Sequence, residues 1–116
     1  MSDKPVRTFG PLYLTATYTT NVYNNTSALI YDRITAIYIE NTSGTAVTCR
    51  LYLGATGGNT GGTELIAKDT SIPANTTVPF YFASPGLKML STDFLVGGAS
   101  TGSVLTIWAT GYQAVV

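Results

Sequence analysis

The segment TAVTCRLYLG, residues 45–54, is the feature that most constrains the fold of this chain. Its side chains alternate between an apolar set and an outward set, namely Val47, Cys49, Leu51 and Leu53 against Thr48, Arg50 and Tyr52. A period of two residues is that of a β-strand, in which successive side chains point to opposite faces of a sheet. We therefore predict a strand with one face on the core and a polar and aromatic face directed away from it, as in antiparallel sheets.

The same alternation recurs along most of the remaining sequence. It predicts strands in PLYLTATYTT, LIYDRITAIYIE, TELIAKD, VPFYFA, TDFLVGG and SVLTIWATGYQAVV, with a short additional strand around Val22 and Tyr23. Turn-forming stretches such as NTSG and SIPANTT separate the strands about every 8–12 residues, and no segment has the period of a helix. Pro79 lies inside one strand and indicates an edge or a bulge there. The predicted fold is all-β, an antiparallel β-sandwich or jelly roll of about 7–9 short strands.

The chain divides into a short arm and one domain. Residues 1–11 show no periodicity and have a proline near each end, so they are predicted to form an N-terminal arm. Two arrangements of this arm remain open, one on a neighbouring subunit and one on its own domain. Residues 12–116 contain neither an internal repeat nor a linker and are predicted to form a single β-sandwich domain.

Charge is scarce in this sequence. Six basic and six acidic residues give a net charge of zero, and 10% of the residues are charged, against roughly 25% in average soluble domains. This composition provides no basic surface for nucleic acid or an anionic membrane, so neither is an expected partner. A surface with so little charge favours coverage by neighbours, and we expect a homo-oligomer or a subunit of a larger assembly. The opening MSDKPVRTFG has no apolar core of a signal peptide, so we expect synthesis and folding in a cytoplasm.

Few residues of this sequence are of the types that support catalysis. The sequence contains no histidine, which excludes Ser-His-Asp and Cys-His arrangements and histidine-based metal sites. Cys49 occupies an apolar position of the alternating strand and is interpreted as a core residue. Glu64 and Asp69 flank a short predicted strand, but they lack the Asp-rich loop typical of calcium sites. We predict no enzyme activity, no catalytic residue, no cofactor and no metal.

The glycine-rich segment GATGGNTGGT, residues 54–63, resembles a phosphate-binding loop only in composition. A P-loop needs a lysine directly after the glycines, and a dinucleotide site needs a helix there. The residues that follow are TELIAKD, which lack that lysine and read as a strand. We therefore interpret the segment as a strand connection whose tip is either exposed to solvent or ordered against a neighbouring subunit.

Aromatic side chains on the predicted outer faces are the main binding feature. The alternation directs Tyr13, Tyr38, Tyr52, Tyr81 and Trp108 away from the core. Three uses remain open for them, as anchors of a protein interface, as cross-strand packing, or as platforms for sugars. The predicted interface residues, including those of the arm, are Pro5, Arg7, Phe9, Tyr13, Tyr38, Arg50, Tyr52 and Trp108.

Three segments in order carry a resemblance to a known class of proteins. They are ITAIYIENTSGTAVTCRLYLG, SIPANTTVPFYF and LSTDFLVGGASTGSVLTIWATGYQ. Together they resemble small β-sandwich proteins of tailed bacteriophage virions, such as head decoration (cement) proteins and related head–tail or fibre modules. The resemblance covers roughly residues 30–113 and brings no catalytic residue with it.

The resemblance implies a structural protein on the surface of a phage capsid, made in the cytoplasm of the bacterial host. Its partners would be the major capsid protein and copies of itself, with a trimer favoured, and it would stabilise the head by bridging capsid subunits. The arm and the long loops would be the contact elements. An alternative is a tail-fibre, spike or baseplate module that binds a host-surface glycan through exposed tyrosine and tryptophan side chains.

Overall fold

The computed structural model describes residues 4–18, 20–25, 27–54 and 66–115. These residues form nine strands, which are β1 (Lys4–Tyr13), β2 (Asn21–Tyr23), β3 (Ile30–Asn41), β4 (Val47–Gly54), β5 (Ala67–Ile72), β6 (Thr77–Tyr81), β7 (Leu87–Met89), β8 (Phe94–Ala99) and β9 (Leu105–Val115). No helix occurs in these parts of the chain. The all-β prediction is therefore confirmed.

The strands form two antiparallel sheets that face each other. The large sheet has the order β1-β9-β3-β6, with β7 also paired to β3, and the small sheet has the order β2-β8-β4-β5. The first strand pairs with the last, β2 with β8, β3 with β6 and β7, and β4 with β5. This nesting is that of a long antiparallel ribbon rolled into two layers, which is a jelly roll. Pro79 lies in β6 at the edge of the large sheet, as its missing N–H predicted.

The core lies between the inward faces of the two sheets. The large sheet contributes Phe9, Ile34, Ile37, Ile39, Met89, Leu105, Ile107 and Ala109, and the small sheet contributes Val47, Cys49, Leu51, Ala67, Ile72, Leu95 and Ala99. These positions follow the predicted alternation in β4 and β9 and, in β3, from Ile37 onward, because an irregularity in the pairing of β3 with β9 shifts the period between Ile34 and Ala36. Cys49 is a core residue as predicted, and burial, with a smaller effect of Asp69, raises the pKa of its thiol to about 12.

Two buried polar residues of β3 close the core at its ends. The Asn41 amide nitrogen donates to the carbonyl oxygens of Thr45 (2.8 Å) and Ile72 (2.9 Å), and its oxygen accepts from the backbone N–H of Ser43 (2.9 Å). At the other end, the Asp32 carboxylate accepts from the Tyr23 hydroxyl (2.6 Å) and from Gln113 Nε2 (3.1 Å). Because Tyr23 lies in the small sheet and Asp32 in the large one, this contact joins the two layers.

The predicted arm does not match the structure in its described part. Residues 4–11 belong to β1, which pairs with β9 from Lys4 opposite Gln113 to Tyr13 opposite Thr106. The pairing is irregular between Arg7 and Phe9 and again between Phe9 and Leu12. These irregularities break the two-residue period, which explains why the sequence showed no strand here. Residues 4–11 are therefore part of the sandwich, the own-domain arrangement left open above, while residues 1–3 lie outside the described residues.

The predicted strand across 12–20 is also corrected. β1 ends at Tyr13, and Leu14 still lies in the core, where its N–H donates to the carbonyl oxygen of Leu105. Residues 15–18 then lie against the outer face of the small sheet without forming a strand. The carbonyl oxygen of Thr15 accepts from the N–H of Ala99 at 2.8 Å, and that of Thr20 accepts from Gly97 at 3.0 Å. The hydroxyls of Thr15 and Thr20 share a hydrogen bond of 2.6 Å. The backbone N–H groups of β8 and the threonine hydroxyls thus supply hydrogen bonds that a neighbouring strand would otherwise make with this segment.

Candidate functional site

An aromatic strip crosses the outer face of the large sheet. Adjacent strands place Trp108 of β9 directly opposite Tyr38 of β3, and their rings stack with centroids 5.4 Å apart and planes 19° apart. Tyr81 of β6 meets the Tyr38 ring edge-on at 6.5 Å. The Tyr81 side chain is 73% exposed, while Tyr38 and Trp108 are half-buried. We call Tyr81, Tyr38 and Trp108 the aromatic strip; its ring contacts are typical of favourable cross-strand pairs.

A shallow groove runs beside the strip, between Trp108 and β1. Its central part has a volume of about 530 Å³ and is lined by Arg7, Pro11, Glu40, Thr106, Trp108 and Thr110. It shares Pro11 and Thr106 with a depression toward Tyr13, and Arg7 and Thr110 with one toward Tyr112. We call this continuous feature the β9 groove. Since β9 lines it from residue 106 to residue 112, its length is about 20 Å at the usual rise of a strand.

Gly10 shapes the wall of the groove. A side-chain carbon at this position would lie 2.9 Å from the Trp108 Cα and 3.0 Å from its Cβ, closer than ordinary contact allows. Gly10 also has a φ of 82°, which L side chains rarely adopt. Glycine therefore allows β1 to approach β9 beside the tryptophan. The next residue, Pro11, lines the groove.

Rings and cations continue along the same face beyond Trp108. The Arg33 guanidinium lies 5.3 Å from the centre of the Tyr112 ring, and the Lys88 ammonium lies 4.7 Å from that of Tyr31. Arg33 Nη1 also donates to the carbonyl oxygen of Pro85 at 3.1 Å. These contacts hold the long cationic side chains against the sheet. The outer face of the large sheet is thus lined by aromatic rings and by a few charged groups.

The outer face of the small sheet is organised differently. Arg50 Nε donates to Asp69 Oδ1 at 2.6 Å and Nη2 to Oδ2 at 3.2 Å, while its guanidinium lies 4.3 Å from the centre of the Tyr18 ring. The Arg50 guanidinium holds the pKa of the Asp69 carboxyl below its ordinary value. A side-chain carbon on Gly98 would meet the carbonyl oxygens of Thr15 and Thr17. The segment 15–18 therefore lies directly on this face.

Several predicted interface residues come together on the open face. Pro5, Arg7 and Tyr13 line the β9 groove, with Tyr13 58% exposed. Tyr38 and Trp108 form the inner part of the aromatic strip. Alternation along β3 and β9 predicted these outward positions correctly.

Phe9, Tyr52 and Arg50 do not join this surface. Phe9 is 8% exposed and stacks on Tyr23 at 5.0 Å, because the irregular pairing after Arg7 turns it to the inner face. Tyr52 lies on the outer side of β4 as predicted, yet it is 1% exposed. The alternation of β4 predicts the side of the sheet on which Tyr52 lies but not this burial. Arg50 lies on that same face, bound to Asp69.

The sequence prediction omitted several residues of the groove. Glu40, Thr106 and Thr110 line its centre, and Tyr112 lines one end. The sequence does indicate that part of this set faces outward, because Thr106, Trp108 and Thr110 alternate with apolar residues along the last strand. What the alternation does not contain is the pairing of β9 with β1, which creates the opposite wall.

The remaining sequence candidates give no further site in the described residues. No group of three or more His, Cys, Asp or Glu side chains is arranged to hold a metal there, and Glu64 lies outside those residues. Of the glycine-rich segment 54–63, residues 55–63 also lie outside them. The segment joins β4 to its antiparallel neighbour β5, so the element after it is a strand rather than a helix. No helix of the described chain is long and apolar enough to cross a membrane.

Comparison with known proteins adds no name to this surface. No family model, no curated protein and no solved structure matches the chain. The geometry of the two outer faces is therefore the basis for the function proposed below.

Proposed function

We propose that this protein is a non-enzymatic structural protein of a tailed-phage virion, of the decoration type, that stabilises the head by bridging major capsid protein subunits. The aromatic strip is the observation that supports this proposal. Its outermost ring, Tyr81, is 73% exposed. A tyrosine ring buries a large contact area when another protein covers it, and aromatic residues are enriched in protein interfaces. An exposed strip of stacked rings is a surface that gains free energy when another protein covers it.

The strip is also rigid before any partner binds. Its three rings contact one another, and each is carried by a strand that is paired within the sheet. Little side-chain entropy remains to be lost when a partner covers such rings. On a capsid, copies of this protein would contact several shell subunits at once, and a trimer would add the contacts of its members. The proposed location is the capsid surface, after synthesis in the host cytoplasm.

The test compares two tyrosines on opposite faces. We expect Tyr81→Ala to weaken binding to purified capsid shells that lack this protein by at least about tenfold, because it removes the most exposed ring of the strip. The matched control is Tyr18→Ala, which removes a ring that lies against Arg50 on the other face. Binding is measured by cosedimentation with the shells, and the oligomeric state by light scattering. A wild-type protein that stays monomeric and does not bind shells contradicts the proposal.

Point substitutions serve this test better than deletion of the N-terminal residues. Residues 4–11 form most of β1, and β1 is an edge strand of the large sheet that contributes Phe9 to the core. Deleting them would remove a structural strand together with any contact they make. A loss of binding after that deletion would therefore report on the fold as well as on the interface.

A second candidate function is that of a tail-fibre, spike or baseplate module that binds a host-surface glycan. The β9 groove is the observation that favours it, because it combines the Trp108 ring with Arg7, Glu40 and threonine hydroxyls. Sugar-binding surfaces need an aromatic ring together with hydrogen-bonding groups along its rim. Wild-type protein on a glycan array tests this function, and absence of any bound glycan contradicts it.

A further inference from the structure

We infer that the β9 groove is a binding site for a linear, uncharged oligosaccharide. This inference rests on the second of the two functions proposed above and names the class of glycan. The groove shares Trp108 with the aromatic strip, but its other lining residues are distinct from Tyr38 and Tyr81. Substitutions can therefore separate occupation of the groove from contact with the strip.

The shape of the groove favours a linear ligand. The three connected depressions follow β9 from Thr106 to Tyr112, a span of about 20 Å. They are shallow and open along their length, so a chain that continues beyond both ends can lie in them. A single sugar would occupy only the central part, between Trp108 and Arg7. Affinity is therefore expected to rise with the number of sugar units.

The polar groups of the central part match hydroxyls. Glu40 accepts hydrogen bonds, Arg7 donates them, and Thr106 and Thr110 can do both. A sugar hydroxyl is also both a donor and an acceptor, so it can bind to each of these groups. The Trp108 ring supplies an apolar surface for the C–H face of a pyranose.

The charges of the central part favour a neutral ligand. One guanidinium, Arg7, and one carboxylate, Glu40, line the same depression. A chain of acidic sugars would bring carboxylates near Glu40, and a basic chain would bring cations near Arg7. Both arrangements place like charges together and lower the affinity.

The backbone pairing beneath the groove disfavours an extended peptide. Peptides that bind sheets as an added strand use free backbone N–H and C=O groups at an edge. Here β1 and β9 pair with each other along the groove, from Arg7 opposite Thr110 to Tyr13 opposite Thr106. Ligands on this face therefore meet side chains, which suit the hydroxyl-rich rim of a sugar better than a peptide backbone.

Trp108 is held in place before a ligand arrives. One side of its indole ring stacks on Tyr38, and Gly10 leaves room beside its Cα and Cβ on the β1 side. A ring that is already fixed loses little entropy on binding, so a ligand can bind even when its contact area is modest. The tryptophan is thus the central residue of the inferred site.

The experiment uses the full chain on a glycan array, followed by calorimetry with neutral linear hexasaccharides, the corresponding monosaccharides and acidic hexasaccharides. We expect neutral hexasaccharides to bind and monosaccharides to bind at least about tenfold more weakly. Trp108→Ala is expected to weaken binding at least about tenfold, while Glu40→Gln and Arg7→Gln weaken it several-fold. Tyr18→Ala is the matched control and should leave glycan binding unchanged, because the Tyr18 ring lies against Arg50 on the opposite face. Circular dichroism of each variant, with Trp108→Phe as a milder substitution, shows whether the sandwich is intact.

Three results would overturn the inference. They are a wild-type protein that binds no neutral linear glycan, a folded Trp108→Ala variant that binds as well as wild type, and a preference for acidic glycans. Shell binding is measured on the same variants so that the two functions are distinguished. If Glu40→Gln and Arg7→Gln weaken shell binding while no glycan binds, the groove belongs to a protein contact and the glycan site is refuted. Loss of shell binding in Tyr81→Ala alone concerns only the decoration function.

Discussion

The two outer faces of this sandwich carry tyrosines at equivalent outward positions, yet the tyrosines have opposite environments. Tyr81 on the large sheet is 73% exposed, whereas Tyr52 on the small sheet is 1% exposed. On the small sheet the segment 15–18 lies on the outer face, where its carbonyl oxygens adjoin Gly98 and the Tyr18 ring lies against Arg50, while the described chain leaves the aromatic strip open. Alternation along a strand therefore fixes the side of the sheet on which a residue lies, but chain elements that cross the sheet decide its exposure.

The arginines of the two faces show the same contrast. Arg50 on the small sheet forms two hydrogen bonds with Asp69 and lies over the Tyr18 ring. Arg7 on the large sheet lines the β9 groove. The contrast holds between Arg50, which is bound within the chain, and Arg7, which lines a groove, since Arg33 of the large sheet also makes contacts within the chain, with Tyr112 and Pro85.

The largest expected effect comes from truncating the buried tyrosine. Tyr52→Ala should lower the free energy of unfolding by about 3–5 kcal/mol, the usual cost of removing a buried aromatic ring. The matched change on the open face, Tyr81→Ala, should cost less than about 1.5 kcal/mol, because little besides an edge-on ring contact is lost. Urea unfolding followed by circular dichroism measures both. Equal losses would show that the two faces are not covered differently.

A substitution at the contact between the segment 15–18 and the small sheet should also lower the stability of the fold. In Gly98→Ala the new Cβ would lie 2.8 Å from the Thr15 carbonyl oxygen and also meet that of Thr17. Backbone atoms must then move, and we expect a loss of about 1–3 kcal/mol, typical of overpacked sites. Hydrogen exchange at Ala99, whose N–H donates to Thr15, should become faster.

Gly44→Ala is the control for this change. A Cβ at Gly44 would meet nothing within 4 Å, so the same substitution should leave stability nearly unchanged. If Gly98→Ala behaves like Gly44→Ala, the segment does not pack tightly against the small sheet at Gly98.

The sequence predicted the parts of the fold in which alternation is uninterrupted. In β3, Ile37 and Ile39 are buried and Tyr38 faces outward, and β9 alternates from Leu105 to Gly111. β1 was missed because the irregular pairing around Phe9 interrupts its period. The alternation from Leu12 onward predicts a strand that continues past Tyr13, where β1 ends.

The candidate site could be predicted only in part for a related reason. The outward positions of Tyr38 and Trp108 follow from the local patterns of β3 and β9. The β9 groove, however, needs the pairing of β9 with β1, and the two strands are far apart in the sequence. No local period contains that information. The segment 15–18 is likewise far in the sequence from Gly98 and Arg50, the residues of the small sheet that it contacts.

A smaller loss of stability is expected from breaking the contact that joins the large sheet to the small sheet. The Tyr23 hydroxyl donates to Asp32, and its loss in Tyr23→Phe should cost about 1–2 kcal/mol at neutral pH, because one carboxylate oxygen loses its donor. Burial first, and then the hydrogen bond to Asp32, raises the pKa of Tyr23 above its ordinary value. In the unfolded chain this phenol ionises near pH 10, while in the folded protein it stays protonated.

The sign of the pH effect follows from this difference. Above about pH 10 the unfolded state binds fewer protons than the folded state, so Tyr23 makes the free energy of unfolding fall as the pH rises. Tyr23→Phe should therefore lose less stability than wild type between pH 9 and about 11. Urea unfolding at a series of alkaline pH values measures the slopes. Identical slopes would show that Tyr23 does not remain protonated in the contact between the sheets.

The smallest expected effect concerns the ion pair on the covered face. Arg50 lowers the pKa of the Asp69 carboxyl in the folded protein. The pair therefore stabilises the fold at pH values above about 4, the ordinary aspartate pKa, and this stabilisation is lost as the pH falls through the lower pKa of the folded protein. Arg50→Gln should return the Asp69 pKa toward the ordinary range, which a carboxyl-carbon NMR titration measures directly. Because both groups are near solvent, the accompanying change in stability should be small and should shrink further in high salt. The comparison variant is Arg7→Gln on the open face, which should leave the Asp69 titration unchanged. An equal shift of the Asp69 pKa in both variants would mean that Asp69 responds to the net charge of the protein rather than to its contact with Arg50.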